Sequence, residues 1–531
     1  MTISPSHLAV VLLVCIHTSA SASTILVGPS RQYTSLQQVA GFLAPGDTVL
    51  VDGNATYAGG VVFNRPGSSA ARILIRGVPI NGQRPVISGG TNGVAFIDGA
   101  DHYTFEHFEV RQATFRGIYH QSDDLIIRNV LVHHCVNGLM GADNGSGLLL
   151  LEHSEFHSCG NGTQAHQIYM ATDETTHPGS VFRMQYCFIH DGTGGNNVKS
   201  RSERNEIYYN WIEGAVYHEL ELIGPDPAGG VPAGLKREDS DVVGNVLWKK
   251  STASGGQANF YVVRFGGDGT GETFGRYRFV NNTVIMGSSA VFRLFDGLES
   301  VEIHNNVFHR PNGGAAPLVR TVEALWSSGE LIAGKNNWIH SDITSVPLQL
   351  TGSVRGTDPA FVDLAINNLR PASGSPLIDV GTSTPEPPPG YSFPLPLFPP
   401  AFEPPAGAIA SPGAAIVRLN DGTIDIGAFE REPETNVSQW VSMPNGVELE
   451  PNYPNPFNPT TRIGYRLDVP GDVKLVVCDL LGREIRVLVS AWESAGSHEV
   501  TFDAAGLPSG LYVYKLEAGP AVQSRKMLLL K

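Results

Sequence analysis

Asn306-Val307-Phe308-His309 and Asn337-Trp338-Ile339-His340 share one pattern: an Asn, two apolar residues and a His. Upstream the same place is held by Asn282-Thr283-Val284, Asn245-Val246-Leu247 and Asn210-Trp211-Ile212. Earlier copies read Cys187-Phe188-Ile189-His190, Ser154-Glu155-Phe156-His157 and Asn129-Val130-Leu131. From 129 the steps are 25, 33, 23, 35, 37, 24 and 31 residues. The shortest are nearly constant, and the longer ones are that constant plus an insertion. A fixed period with inserted loops marks a solenoid. The unit is built of strands, because Leu148-Leu149-Leu150-Leu151, Glu206-Ile207-Tyr208-Tyr209 and Ser300-Val301-Glu302-Ile303 are short β-favouring runs. A coil of some two dozen residues with three short strands predicts one turn of a right-handed parallel β-helix, stacked at about 4.8 Å. The recurring Asn is expected to form an amide ladder and the neighbouring His to occupy a turn.

Both ends of a solenoid expose strand edges and need covering. Ser35-Leu36-Gln37-Gln38-Val39-Ala40-Gly41-Phe42-Leu43 reads as a short amphipathic front-cap helix, followed by the strand Thr48-Val49-Leu50-Val51. This start resembles many secreted β-helix proteins, polysaccharide lyases among them. Asp358-Pro359-Ala360-Phe361, Ser373-Gly374-Ser375-Pro376-Leu377 and Asp425-Ile426-Gly427-Ala428-Phe429-Glu430 resemble a common β-helix ending. Residues 384–415 interrupt it, and their Pro content predicts an extended surface loop.

The β-helix is therefore expected over 23–432, a polar linker over 433–446, and a separate domain over 447–531. That last stretch has short β-rich runs punctuated by Gly and Pro, which predicts a small Ig-like β-sandwich. It contains Tyr453-Pro454-Asn455-Pro456-Phe457-Asn458-Pro459, Asp479-Leu480-Leu481-Gly482-Arg483 and Ser509-Gly510-Leu511-Tyr512, and closes with Lys526-Met527-Leu528-Leu529-Leu530-Lys531. These pieces resemble the type A C-terminal sorting domain of the bacterial type IX secretion system. The resemblance implies export to the outer surface of a Gram-negative bacterium, with the secretion machinery as a partner. The basic, apolar 526–531 segment suits an edge strand offered to a receptor. At the other end, the apolar run 7–16 and Ser19-Ala20-Ser21-Ala22-Ser23 form a signal-peptide pattern ending at Ala22. No Lys or Arg precedes that run.

The chain has 531 residues, 60 Gly, 36 Pro and a net charge of −15, with no basic tail, so nucleic acid is an unsuitable partner. Cys135, Cys159, Cys187 and Cys478 form no C-x-x-C pair, which leaves no zinc signature. A monomer is expected.

The long steps place insertions near 160–180, 215–240 and 251–275, and these bracket Asn196-Asn197-Val198-Lys199-Ser200-Arg201-Ser202-Glu203-Arg204. Asn197-Val198-Lys199-Ser200 followed by Ile207-Tyr208-Tyr209-Asn210 is similar to polysaccharide lyase family six, which includes alginate and chondroitin lyases. The resemblance implies that Lys199 abstracts the proton beside a uronate carboxylate, that an Arg about one coil later assists, and that an acidic site holds calcium. Calcium is the one cofactor this brings in, and no metal ligand is assigned. One coil later the sequence reads Tyr217-His218-Glu219-Leu220-Glu221-Leu222, with carboxylates where the family has its Arg.

The candidate catalytic residues are Lys199, Arg201, Glu219, Glu221 and His218. Lys199 and Arg201 share a face if they lie on a strand, and so do Glu219 and Glu221. Tyr208, Tyr217 and Arg204 are candidates for binding substrate, with Tyr209 and Trp211 as further stacking rings. The ordinary readings compete: a solvated basic pair at Lys199 and Arg201, solvated carboxylates, and His166 and His190 as turn or groove-wall residues. Two functional classes follow. One is a carbohydrate-active enzyme (lyase, hydrolase or epimerase) acting on extracellular polysaccharide. The other is a non-catalytic adhesin or structural stalk. The address can be tested first. Deleting residues 447–531 in a host with type IX machinery should leave folded β-helix in the periplasm. Normal surface delivery of the truncated chain would remove the sorting assignment.

Overall fold

The computed structural model describes residues 22–531 except 98, 225–237, 251–260, 267–274, 288, 295–297, 322–330, 408–414, 420–421, 432–446, 456, 468–469, 479–483, 509, 519–520 and 530–531. The signal-peptide segment, the linker 433–446 and most of the insertions near 215–240 and 251–275 lie outside the described residues. The chain divides into two compact units, 1–433 and 434–531.

The first unit is a parallel β-helix. Three short strands per coil stack on the equivalent strands of the next coil, giving three long parallel sheets. Sheet 1 has 13 described strands, from Thr24–Val27 to Leu350–Thr351. Sheet 2 has 12, from Thr56–Ala58 to Val354–Gly356. Sheet 3 has 10, from Val61–Phe63 to Val319–Thr321. Strand residues alternate between the solenoid interior and the outside. Val49, Ile75, Phe105, Ile127, Leu151, Phe279 and Ile303 belong to the single interior core.

Sheet 1 passes to sheet 2 through two residues with separate tasks. The first is left-handed: Asn129, His153, Tyr186, Tyr209, Gly244, Asn281, Asn305 and Asn336 all have φ between 48° and 71°. Asn and Gly tolerate that region best, which explains their recurrence there. The second residue forms the ladder. The backbone N–H of Asn210 donates to Asn245 Oδ1 at 2.8 Å, that of Asn245 to Asn282 at 2.9 Å, that of Asn282 to Asn306 at 2.8 Å, and that of Asn306 to Asn337 at 3.0 Å. Each Nδ2 then reaches a carbonyl of the preceding coil, as Asn282 Nδ2 does with Val242 at 2.9 Å. One expectation is corrected here. Asn129 is not a ladder residue, because the strand register aligns Leu131 with Glu155, which puts Val130 beside Ser154. Asn129 occupies the left-handed column.

The front helix is shorter than the 35–43 pattern suggests: one turn, Gln37–Ala40, with Val39 and Ala40 buried. The Pro-rich segment is also more than a surface loop. It lies along the outside of sheet 1, where Arg204 Nη1 donates to Pro394 O at 3.0 Å and Arg278 Nη1 to Leu397 O at 3.0 Å. Leu397 N–H donates to Asp241 Oδ2 at 2.8 Å, closing over the buried Asp241–Arg278 ion pair. Farther along, Ala428 and Phe429 pack with Phe188, Trp211 and Val246 on the outside of sheet 2.

The second unit pairs a three-stranded with a four-stranded antiparallel sheet. Leu475, Val477, Phe502, Tyr514, Met527 and Leu529 fill the space between them. The last strand, Ala521–Leu529, is an edge of the four-stranded sheet, but its end is not open. Phe457 N–H donates to Leu528 O, and Asn455 Oδ1 accepts from Leu528 N–H at 2.8 Å.

The ladder makes unequal demands on the asparagines. In Asn282→Ala, Asn245 loses its acceptor and Val242 O its donor inside the solenoid. Chemical denaturation of the full chain should show a loss of about 3 kcal/mol. Asn129→Ala changes a left-handed turn and removes one side-chain hydrogen bond to His107, outside the ladder, and should cost less, about 1–2 kcal/mol.

Candidate functional site

Residues of successive coils stand directly above one another, so the outside of sheet 3 is read as columns. One column runs Tyr119, Met140, Tyr169, Lys199, Glu221, Arg264, Arg293, Arg320. Lys199 lies in the strand Val198–Arg201 between inward-facing Val198 and Ser200. Its ammonium lies 5.0 Å from the Tyr169 ring centre and 3.8 Å from Glu221 Oε2. From the other side Arg264 Nη1 donates to Glu221 Oε1 at 2.5 Å, and Asn196 Nδ2 donates to Glu221 Oε2.

Around this row the groove holds a cavity of about 250 Å³, lined by His166, Asn196, Lys199, Tyr217, His218, Glu221, Arg264 and Arg293 among others. Burial pushes Glu221 up, but the positive charges of Lys199 and Arg264 outweigh it and hold this carboxylate below its usual range. Burial pushes both His166 and His218 down to about 4, so both imidazoles are neutral at pH 7. Their tautomers follow from their partners. The Asn196 N–H can only donate, at 2.9 Å, so His166 Nδ1 accepts and its proton is on Nε2. The Tyr261 carbonyl can only accept, at 3.0 Å, so His218 Nδ1 carries the proton and Nε2 the lone pair.

Of the residues singled out from sequence, Lys199, Glu221, His218 and Tyr217 come together here. Arg201 shares the outer face with Lys199 but is buried, and it donates to Gly224 O at 3.1 Å. The two do not form a solvated basic pair. Glu219 does not share a face with Glu221. It precedes the strand Leu220–Leu222 and turns under the groove, accepting from Ala215 N–H at 3.0 Å and Asn197 Nδ2 at 2.7 Å. Lys249 lies 3.6 Å from it and donates to Ala215 O at 3.0 Å and to Tyr217 O. Burial pushes Glu219 up to about 7 and lowers Lys249, each opposed by the other's charge.

Tyr208 and Arg204 belong to sheet 1, not to the groove. Tyr208 is buried with its hydroxyl 3.2 Å from Asp241, and Arg204 holds the Pro-rich segment. Tyr209 and Trp211 are buried likewise, the latter beneath Phe429. His190 is on sheet 2, stacked on His157 at 5.1 Å.

Sequence reasoning missed Arg264, Arg293 and Arg320. Insertions of unequal length hide their register: one coil after Lys199 stands Glu221, and the first arginine of the column, Arg264, stands two coils after it. Among the described residues no group of three or more His, Cys, Asp or Glu is arranged to hold a metal. The groove's carboxylate is already flanked by Lys199 and Arg264, a setting that does not fit calcium.

Residues 452–530 match the family model described as the secretion system C-terminal sorting domain. The second unit is a secretion sorting domain. The protein is thus addressed through type IX secretion to the cell surface or the extracellular space. A search of curated proteins found no match. Among solved structures, the chain resembles pectate lyase Pel9A at 14% identity and TM-score 0.43, covering 78% of this chain and 97% of that one. An alginate lyase from Paenibacillus sp. gives 14% identity and TM-score 0.30, covering 58% and 97%. A family six polysaccharide lyase from Pseudopedobacter saltans gives 12% and 0.32, covering 61% and 90%. These likenesses extend to the general fold alone.

The buried Glu219–Lys249 pair holds the turn that carries Tyr217 and His218. Lys249→Met strands a carboxylate and should cost about 3–5 kcal/mol in thermal or chemical unfolding. Lys249→Met with Glu219→Gln removes the stranded charge and should recover much of that loss.

Proposed function

We propose that the protein acts on a uronate-containing extracellular polysaccharide by abstracting the proton beside the uronate carboxylate, as a lyase or an epimerase. The observation that carries this reading is a cavity lined by Lys199, Arg264 and Arg293 together with neutral His218, whose Nε2 carries the lone pair. A proton next to a carboxylate is weakly acidic, and removing it pushes charge onto the carboxylate oxygens. Fixed cations beside those oxygens stabilise that charge in the transition state.

In the lyase form, His218 Nε2 takes the C5 proton, a C4–C5 double bond forms, and the C4–O bond breaks. The leaving oxygen takes a proton from solvent while the Nε2–H of neutral His166 can donate a hydrogen bond to it, and His218 then returns its proton to solvent. In the epimerase form a proton from solvent reaches C5 on the opposite face, His218 gives its proton to solvent, and no bond to oxygen breaks. The similarity to family six assigns the base to Lys199. Its pairing with Glu221 instead suits it to holding the substrate carboxylate. A bound uronate raises the proton affinity of His218, which makes it a better base in the complex.

Hydrolysis is the less suitable reaction. It calls for two carboxyl groups flanking the bond, one of them protonated. The described groove offers Glu221, held in its ionised form, while Glu219 faces away from it. A non-catalytic adhesin predicts binding without turnover.

A panel of alginate, polygalacturonate and chondroitin separates these outcomes. A lyase yields new reducing ends together with absorbance of unsaturated uronates, and an epimerase exchanges C5 hydrogen with solvent without either. Lys199→Ala and His218→Gln should each lower the rate at least about a hundredfold with the fold intact. His218 is unprotonated above about pH 4, so the free enzyme's rate should fall only as pH drops through that region. A limb well above pH 7 that rises with pH would move the base to Lys199. Absence of turnover and of hydrogen exchange across the panel would count against an enzyme.

A further inference from the structure

The column through the reaction centre is lopsided. Toward the chain's start, Lys199 is followed by Tyr169, Met140 and Tyr119, with no charge in that row. Tyr119 has the Arg116 guanidinium 4.1 Å from its ring centre. Toward the other end, Arg264, Arg293 and Arg320 occupy three consecutive coils, about 4.8 Å apart. Tyr261 ties these arginines to the centre. Its hydroxyl accepts from Arg320, its ring centre is 5.6 Å from Arg293 and 5.8 Å from Arg320, and its carbonyl fixes His218.

We infer that the groove takes a glycan strand along the solenoid axis in one polarity, with consecutive anionic sugars over Arg264, Arg293 and Arg320 and a less charged stretch over Tyr169 and Tyr119. The inference rests on the proposed reading of the site and adds which side of the reacting sugar must be acidic. Guanidinium groups at coil spacing match a polymer with an anion on each successive sugar, because the planar fork binds carboxylate or sulfate through two parallel hydrogen bonds. Tyrosine rings instead offer flat faces to pyranose C–H surfaces and ask for no charge. A polymer uniformly charged on both sides meets three guanidinium groups on one side and Arg116 beside Tyr119 and Met140 on the other. The preferred substrate is a heteropolymer or an end of an acidic block.

Equilibrium binding tests this in the full chain carrying Lys199→Ala, so that turnover does not consume the probe. The probes are a hexamer of galacturonate (carboxylate), an ι-carrageenan hexamer with sulfate on every sugar, and cellohexaose (neutral), titrated across a range of NaCl. Arg293→Ala and Arg320→Ala should each weaken binding of the anionic hexamer on the order of tenfold and flatten its salt dependence. Arg320→Lys should fall in between. Tyr119→Ala should weaken binding without changing the salt dependence. Whichever anionic hexamer binds identifies the anion as carboxylate or sulfate. Thermal unfolding of each variant confirms that the fold persists, and Arg320 is exposed enough for its replacement to be tolerated.

Unchanged salt dependence in both arginine variants would overturn the inference, as would equal weakening of cellohexaose binding or no binding of either anionic hexamer. Binding that follows this pattern in a parent protein without turnover would leave the inference standing and remove the enzymatic reading alone.

Discussion

Coil-to-coil hydrogen bonding is the constraint from which the rest of this protein follows. Every coil is both donor to one neighbour and acceptor from the other, and the asparagine ladder repeats that arrangement with side chains. Asn282 accepts from Asn245 and donates toward Asn306 and Val242, so a turn that would otherwise bury unpaired amides is satisfied. The left-handed residue before each ladder position makes the corner sharp enough for the ladder to lie inside it. Once the corners are locked, strand register is locked, and residues far apart in sequence become vertical neighbours. Lys199, Glu221 and Arg264 meet on this account alone.

The same rigidity makes the final part of the β-helix unit useful. Segments after residue 358 run back over the outer faces of sheets 1 and 2. They cover aromatic residues such as Tyr209 and Trp211 and supply backbone partners to Asp241 and Arg278. Burying an ion pair costs desolvation unless hydrogen bonds complete its shell, and the Leu397 peptide completes this one. Among the described residues these segments dress two sheets, whereas the outer face of sheet 3 carries the cationic row and the neutral histidines.

Net charge is a poor guide to such a surface. The chain carries −15 overall, yet among the described residues its groove contains one carboxylate beside Lys199, Arg264, Arg293 and Arg320. Local potential is set by which residues the register brings together, and a low-dielectric cleft concentrates it. Burial then adjusts the groups individually. It keeps His166 and His218 neutral and drives Glu219 toward the protonated form, while nearby positive charge keeps Glu221 ionised.

The sequence by itself determined the parallel β-helix, because Asn210, Asn245, Asn282, Asn306 and Asn337 recur at intervals that only stacked coils explain. It also determined the sorting domain, whose Pro-Asn-Pro-Phe entry and closing strand are local motifs. Lys199, Glu221, His218 and Tyr217 were legible as candidates because they flank a motif bracketed by insertions. Other assignments needed the tertiary structure. Whether a side chain faces the groove, the core or a covering segment depends on where each strand begins, and unequal loops erase that from the spacing. Glu219 falls one residue before its strand and turns inward. Tyr208 and Arg204 fall in a different sheet beneath the Pro-rich segment. Arg264, Arg293 and Arg320 have no motif of their own, and only the hydrogen-bond register of sheet 3 aligns them with Lys199.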